Sequence, residues 1–141
     1  MTIGWHFDNT YSKLSNIFKE DIKPTPVHDP ELVILNEQLA ADLNLDFSKI
    51  KDKDLSSIFS GNSLPDGSNT IAQAYAGHQF GHFTMLVDGR AVLLGEHISN
   101  KNTRFDIQFK GSGRTSFSRG VAVLLSILQL YSFCRRASFF S

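Results

Sequence analysis

The sequence predicts an α+β fold in which helices are followed by an antiparallel β-meander. Three observations predict it. Leu32, Leu35, Leu39 and Leu43 recur every three or four residues, the spacing of one apolar helical stripe. Farther along, Phe105, Ile107 and Phe109 alternate with Arg104, Asp106, Gln108 and Lys110, a period of two that belongs to strands. Between these regions Asp88-Gly89 separates two apolar runs, a strong signal for a tight hairpin.

Taken in order, Phe7 to Ile22 mixes aromatic and polar residues without a period, and Pro24, Pro26 and Pro30 keep the following backbone extended or turned. This part reads as a tethering arm. Asp29-Pro30-Glu31 then supplies an N-cap, a first-turn proline and an acid for the positive end of the helix dipole, so a helix is predicted over about 30 to 44. A second helix is predicted over about 52 to 60, with Leu55, Ile58 and Phe59 on one face and Gly61 as a left-handed C-terminal cap. Leu64 to Asn69 reads as turn and loop. Phe83 to Val87 and Arg90 to Ile98 are the predicted strands of an Asp88-Gly89 hairpin. Ser99 to Thr103 turns the chain into a third strand that ends at Lys110.

At 141 residues the chain is read as one unit. Apolar residues make up 41% and charged residues 20%, which argues against disorder, and 14 basic residues balance 14 acidic ones, which argues against a uniformly basic nucleic-acid binder. The balance hides an asymmetry. Residues 1 to 87 hold 11 acids and 6 bases, whereas residues 88 to 141 hold 3 acids and 8 bases, so an anionic ligand is expected at the second part. A single cysteine, Cys134, and a start without a basic and then apolar leader fit a reducing, cytoplasmic location. The apolar stretch Val121 to Phe133 is too short to span a bilayer, so no membrane partner is expected.

Three segments carry candidate chemistry. In the predicted meander Lys110 returns opposite Val92, about 7 to 10 Å from the hairpin turn, so Lys110, Arg90 and the Gly89 amide converge as phosphate ligands would. The plain alternative is a solvated lysine on the polar face of a hairpin. Gly111-Ser112-Gly113-Arg114-Thr115 and Ser116 to Gly120 form a small-residue, cationic run that lacks both the P-loop and the dinucleotide spacing. His78 and His82 stand four apart within Ala74 to Phe83, but Gly77 and Gly81 disfavour the helix that would join them at one metal. A buried structural turn is the preferred reading there. Ser112, Ser116 and Ser118 have no His/Asp relay within reach in sequence.

At these residues the chain resembles the selenoprotein O family, protein adenylyltransferases on a kinase-like (pseudokinase) fold. The resemblance runs over residues 7 to 120, through Phe7-Asp8-Asn9, Pro24-Thr25-Pro26-Val27, Leu35-Asn36-Glu37, Gly61-Asn62-Ser63-Leu64-Pro65, Ala74-Tyr75-Ala76-Gly77-His78-Gln79-Phe80-Gly81 and Lys110-Gly111-Ser112-Gly113-Arg114-Thr115. It implies that residues 1 to 120 are part of the N-terminal lobe of a protein-kinase-like fold. It further implies that Gly89 and Arg90 match the family's nucleotide-binding Gly-Asp-Gly-Arg, with Val87 in place of its first glycine, and that Lys110 matches the strand lysine contacting ATP phosphates. Family members transfer AMP from ATP to Ser, Thr or Tyr hydroxyls of proteins with Mg²⁺ or Mn²⁺.

From Val121 the chain departs from the family, and the catalytic Asp and the metal-binding Asn and Asp expected farther on are not matched within these residues. Residues 121 to 141 are read as a divergent tail. Codons for Val121 to Leu128 read two nucleotides later can encode a family-like continuation, which is what a frameshift leaves. The implied function is therefore protein adenylyltransferase chemistry, truncated and inactive alone, with ATP-binding residues Gly89, Arg90 and Lys110 and no catalytic or metal residue assigned. The alternatives are a non-catalytic nucleotide or anion-binding module and an inert gene fragment with an aggregation-prone tail.

Overall fold

The computed structural model describes residues 3–79, 82–87, 91–110 and 127–132. Within them the chain forms an α+β fold with few helices and an antiparallel sheet. Its strands are β1 (Lys19–Asp21), β2 (Ile71–Gln79), β3 (His82–Val87), β4 (Ala91–Ile98), β5 (Arg104–Lys110) and β6 (Ile127–Ser132). The sheet order is β1-β2-β4-β5-β6, and β3 pairs with β2.

The second predicted helix is observed as α2 (Asp52–Ser60), ended by Gly61 in the left-handed region at φ 83°. The acids Asp52 and Asp54 occupy its first turn, and Leu55 is buried. Gly61 is required twice over. A side chain there would strain the backbone and would bring its Cβ to 2.6 Å from Pro24 Cβ.

The first predicted helix is shorter than its leucine stripe. Helix α1 covers only Glu37–Asp42, capped by Asn36, whose Oδ1 accepts the Leu39 amide at 3.0 Å. Asp29 is not an N-cap, because its φ of 49° is left-handed where a cap is extended. Residues 31–36 form no helix, and the β-branched pair Val33 and Ile34 stands 93% and 85% exposed there. Leu32 and Leu35 still pack against the core. The helix closes in a Schellman arrangement, with Leu45 N–H donating to Ala40 O at 2.9 Å and Asn44 N–H to Ala41 O at 3.0 Å around Asn44 at φ 60°.

The strands predicted near 83–87, 90–98 and 105–110 are all present, but they do not form the expected three-stranded meander. Strand β3 pairs back onto β2, from Ala74↔Val87 to Gln79↔His82, while β4 meets β2 at Ile71↔Leu93. Both are antiparallel to β2, so β3 and β4 run the same way and form no hairpin with each other. A hairpin instead joins β2 to β3. The residues of the expected turn, 88–90, lie outside the described residues. The β4–β5 hairpin is as expected, with Ser99 N–H donating to Thr103 O at 2.9 Å and Asn102 left-handed at φ 57°.

The expected arm is more ordered in its pairing than a tether. Residues 19–21 form β1 on the edge of β2, and Phe7 bridges His97 on β4, flanked by Asp8 N–H to Glu96 O and Ile98 N–H to His6 O, both 2.8 Å. Gly95 makes room for this: a Cβ there would collide with the Phe7 ring and Asn9 Oδ1. Buried Glu96 then accepts Thr10 Oγ1 (2.6 Å), the Tyr11 amide (2.7 Å) and Arg104 (3.1 Å), while Arg104 also holds the Asp8 carboxylate at 2.6 Å. That hydrogen bond from Arg104 keeps the Asp8 carboxyl below its ordinary range.

The core lies on the helix-bearing face of the sheet, where Val92, Leu94, Ile107 and Phe109 meet Leu43, Leu45, Phe47 and Leu55. Ile71, Ala91 and Leu93 are also buried but belong to the opposite face.

Candidate functional site

The alternation on β5 separates its two faces cleanly. Ile107 and Phe109 are fully buried in the core, and Arg104, Asp106, Gln108 and Lys110 occupy the other face. Lys110 ends the strand directly opposite Ala91, one position from the expected Val92. Arg90 is covalently next to Ala91; Gly89 and Arg90 themselves lie outside the described residues.

Lys110 is exposed and enters no ion pair among the described residues. The other cations of this face are engaged. Lys19, opposite Gln73 on the neighbouring ladder, is buried against Asp21 at 2.7 Å, and Arg104 is shared by Asp8 and Glu96. Asp106 sits on the rung opposite Glu96, and burial first, then that neighbouring carboxylate, pushes its carboxyl above the ordinary range against the opposing pull of Arg104. Among the described residues of this face, Lys110 is thus the cation outside an ion pair, next in the ladder to the strand end that follows Arg90.

Sequence reasoning missed a polar pair on the same face. Gln108, two residues before Lys110, donates from Nε2 to Gln73 Oε1 at 3.0 Å. The position of Gln108 within the alternation was a usable signal, whereas that of Gln73, on a different strand, was not.

His78 and His82 lie on β2 and β3, not on successive turns of a helix, and the expected buried turn over Ala74 to Phe83 is largely strand. His78 pairs with Phe83 and His82 with Gln79. Among the described residues no group of three or more His, Cys, Asp or Glu is placed to hold a metal ion. The cationic run at 111–120, with Ser112, Ser116 and Ser118, lies outside the described residues, as does Cys134. Among the described residues no helix is long and apolar enough to cross a membrane.

The family profile described as "Protein adenylyltransferase SelO" matches residues 2–126. "Protein nucleotidyltransferase YdiU" of Pelagibacter ubique is 69% identical over 134 residues, covering 93% of this chain and 28% of its own length. The protein of the same name from Nitrosococcus oceani is 54% identical over 132 residues (92% of this chain, 27% of its own), and that from Geobacillus kaustophilus 53% over 120 residues (85% and 25%). The chain therefore spans between a quarter and three-tenths of the length of these relatives. With its profile running through the arm, both helices and the β4–β5 hairpin that carries Lys110, the chain belongs to the SelO protein adenylyltransferase family.

Proposed function

We propose that this chain forms the nucleotide-holding part of a protein adenylyltransferase, in the N-terminal lobe of a kinase-like fold, with residues 1–120 as that lobe portion and 121–141 as a divergent tail. Gly89, Arg90 and Lys110 hold the phosphates of ATP. The observation that carries this is Lys110: an exposed cation without an ion-pair partner among the described residues, opposite Ala91 and so beside Arg90 in the chain. Phosphate oxygens accept charged hydrogen bonds from such groups.

In the transfer, a protein Ser, Thr or Tyr oxygen bonds to the α-phosphorus. The bond from that phosphorus to the oxygen bridging to the β-phosphate breaks, pyrophosphate leaves with that electron pair, and the hydroxyl proton is released to water. Mg²⁺ or Mn²⁺, when bound, would neutralise phosphate charge during that exchange. The part assigned to this chain is electrostatic. Lys110 and Arg90 bind and orient the polyphosphate. The protein substrates and the cytoplasmic setting belong to this same reading, with no nucleic-acid or membrane partner.

Replacing Lys110 with Ala is expected to weaken ATP binding by about 1.5 to 3 kcal/mol, a charged hydrogen bond's share, measured by isothermal titration calorimetry. Equal affinities in the two proteins would remove Lys110 from the site. With labelled ATP, divalent ions and candidate proteins, residues 1–141 alone are expected to bind without incorporating AMP. Robust incorporation that vanishes in Lys110→Ala would reject the inactivity.

A further inference from the structure

The face that carries Lys110 holds a second polar feature, which the phosphate reading leaves unused. Ile71, Leu93 and Gln108 align across β2, β4 and β5, so Gln73, two residues beyond Ile71, shares their face. The rung beside them places Ala91 opposite Lys110. Gln108 thus lies about 7 Å from Lys110 along the same strand, and Gln73 about 10 Å away, two strand spacings across the sheet. The two amides meet over β4, Gln108 Nε2 donating to Gln73 Oε1 at 3.0 Å. Both glutamines are half-buried, above a floor of buried Ile71, Ala91 and Leu93.

This pairing fixes the polarity of what the amides present. With Gln73 Oε1 occupied, its Nε2 offers donors, and Gln108 Oε1 offers an acceptor beside them. A phosphate only accepts hydrogen bonds. A ribose hydroxyl or a base edge both donates and accepts, and paired amide groups suit such an edge.

We propose that Gln73 and Gln108 are specificity-determining residues that bind the nucleoside part of the nucleotide whose phosphates Lys110 holds. The proposal rests on the phosphate-binding reading of Lys110. One nucleotide is long enough to engage both, and the neutral amides add selectivity where the cation adds charge attraction.

The test is calorimetric titration of the chain, Gln108→Met, Gln73→Met and Lys110→Ala with two probes, ATP and inorganic tripolyphosphate. Methionine keeps the length and bulk of glutamine while deleting the amide. Each methionine variant is expected to bind ATP roughly three- to tenfold more weakly, the share of a neutral hydrogen bond, with tripolyphosphate affinity unchanged. Lys110→Ala is expected to weaken both probes. Unchanged ATP affinity in both methionine variants overturns the proposal, and so does an equal loss for the two probes, which would make the amides supports for Lys110 or for the sheet. Loss of the cooperative thermal transition in both methionine variants also overturns it, by assigning the pair to folding. If Lys110→Ala changes neither probe, the phosphate reading fails first, and the failure is then located at Lys110 and not at the amides.

Discussion

Truncating Phe109 to Ala is expected to lower the free energy of unfolding by about 3 to 5 kcal/mol, a large share of the roughly 5 to 15 kcal/mol that holds a domain together. Phe109 is fully buried, in the same core cluster as Val92 opposite it on β4, and its ring reaches within 3.4 Å of where a Cβ on Gly61 would stand. Strand β5 is paired on both sides, by β4 and β6, so collapse around a lost phenyl would have to drag paired backbone with it. Its neighbour in sequence is Lys110, whose side chain leaves from the other face. Chemical denaturation of the two proteins measures the difference. A loss below about 1 kcal/mol would show that the ring does not pack in a rigid core.

His97→Ala should cost about 3 kcal/mol at neutral pH and should also flatten the pH dependence of stability, since two buried hydrogen bonds and a ring are lost together. His97 is 1% exposed. Its Nδ1 accepts the His6 amide at 3.1 Å, so the ring proton resides on Nε2 and is donated to Leu43 O at 2.8 Å. The ring packs edgewise on Trp5, with centroids 5.7 Å apart, and on Phe7 at 6.2 Å. One imidazole thereby ties the N-terminal arm, the end of α1 and β4 into one unit. Burial above all, with the nearby His6, depresses its pKa below the ordinary value of 6.5, outweighing the Leu43 carbonyl that favours the charged form. Below pH 6.5 the unfolded chain takes up the proton more readily than the folded one. This contribution is therefore fully present above about pH 6.5 and is lost as the pH falls from there toward the depressed folded value. Urea midpoints between pH 7.5 and 5 for the two proteins test it. Parallel pH profiles would mean that His97 titrates alike in both states.

Where the folding signal is local, reading it from residues succeeds. Helix α2 lies where expected because acids in the first turn and a left-handed glycine at the end act within one turn of the backbone. The faces of β5 were legible for a similar reason, since the pleat alone sends Phe105, Ile107 and Phe109 one way and Gln108 and Lys110 the other. Helix α1 shows the limit. Four leucines spaced for a helix all reach the core, yet the first two do so from a non-helical segment. Periodicity records which side chains are buried, and more than one backbone path can bury them.

The same division governs the candidate site. The polar face of β5 and the place of Lys110 on it follow from alternation, a quantity written along the chain. Which strand accompanies which was decided by tertiary structure: Asp88-Gly89 looks like a turn, but β2 pairs with both β3 and β4 and makes them run the same way. The arm's docking on Glu96 and His97 joins residues about ninety positions apart, and the Gln73–Gln108 contact spans 35. Sequence by itself determined the family, helix α2, strands β3, β4 and β5, and the face of β5 that Lys110 occupies. Strand partners, the start of α1, the seat of the arm and the amide pair were decided only by the fold, because hydrogen bonds and packing between distant segments outweigh local preferences of about 1 kcal/mol or less per residue.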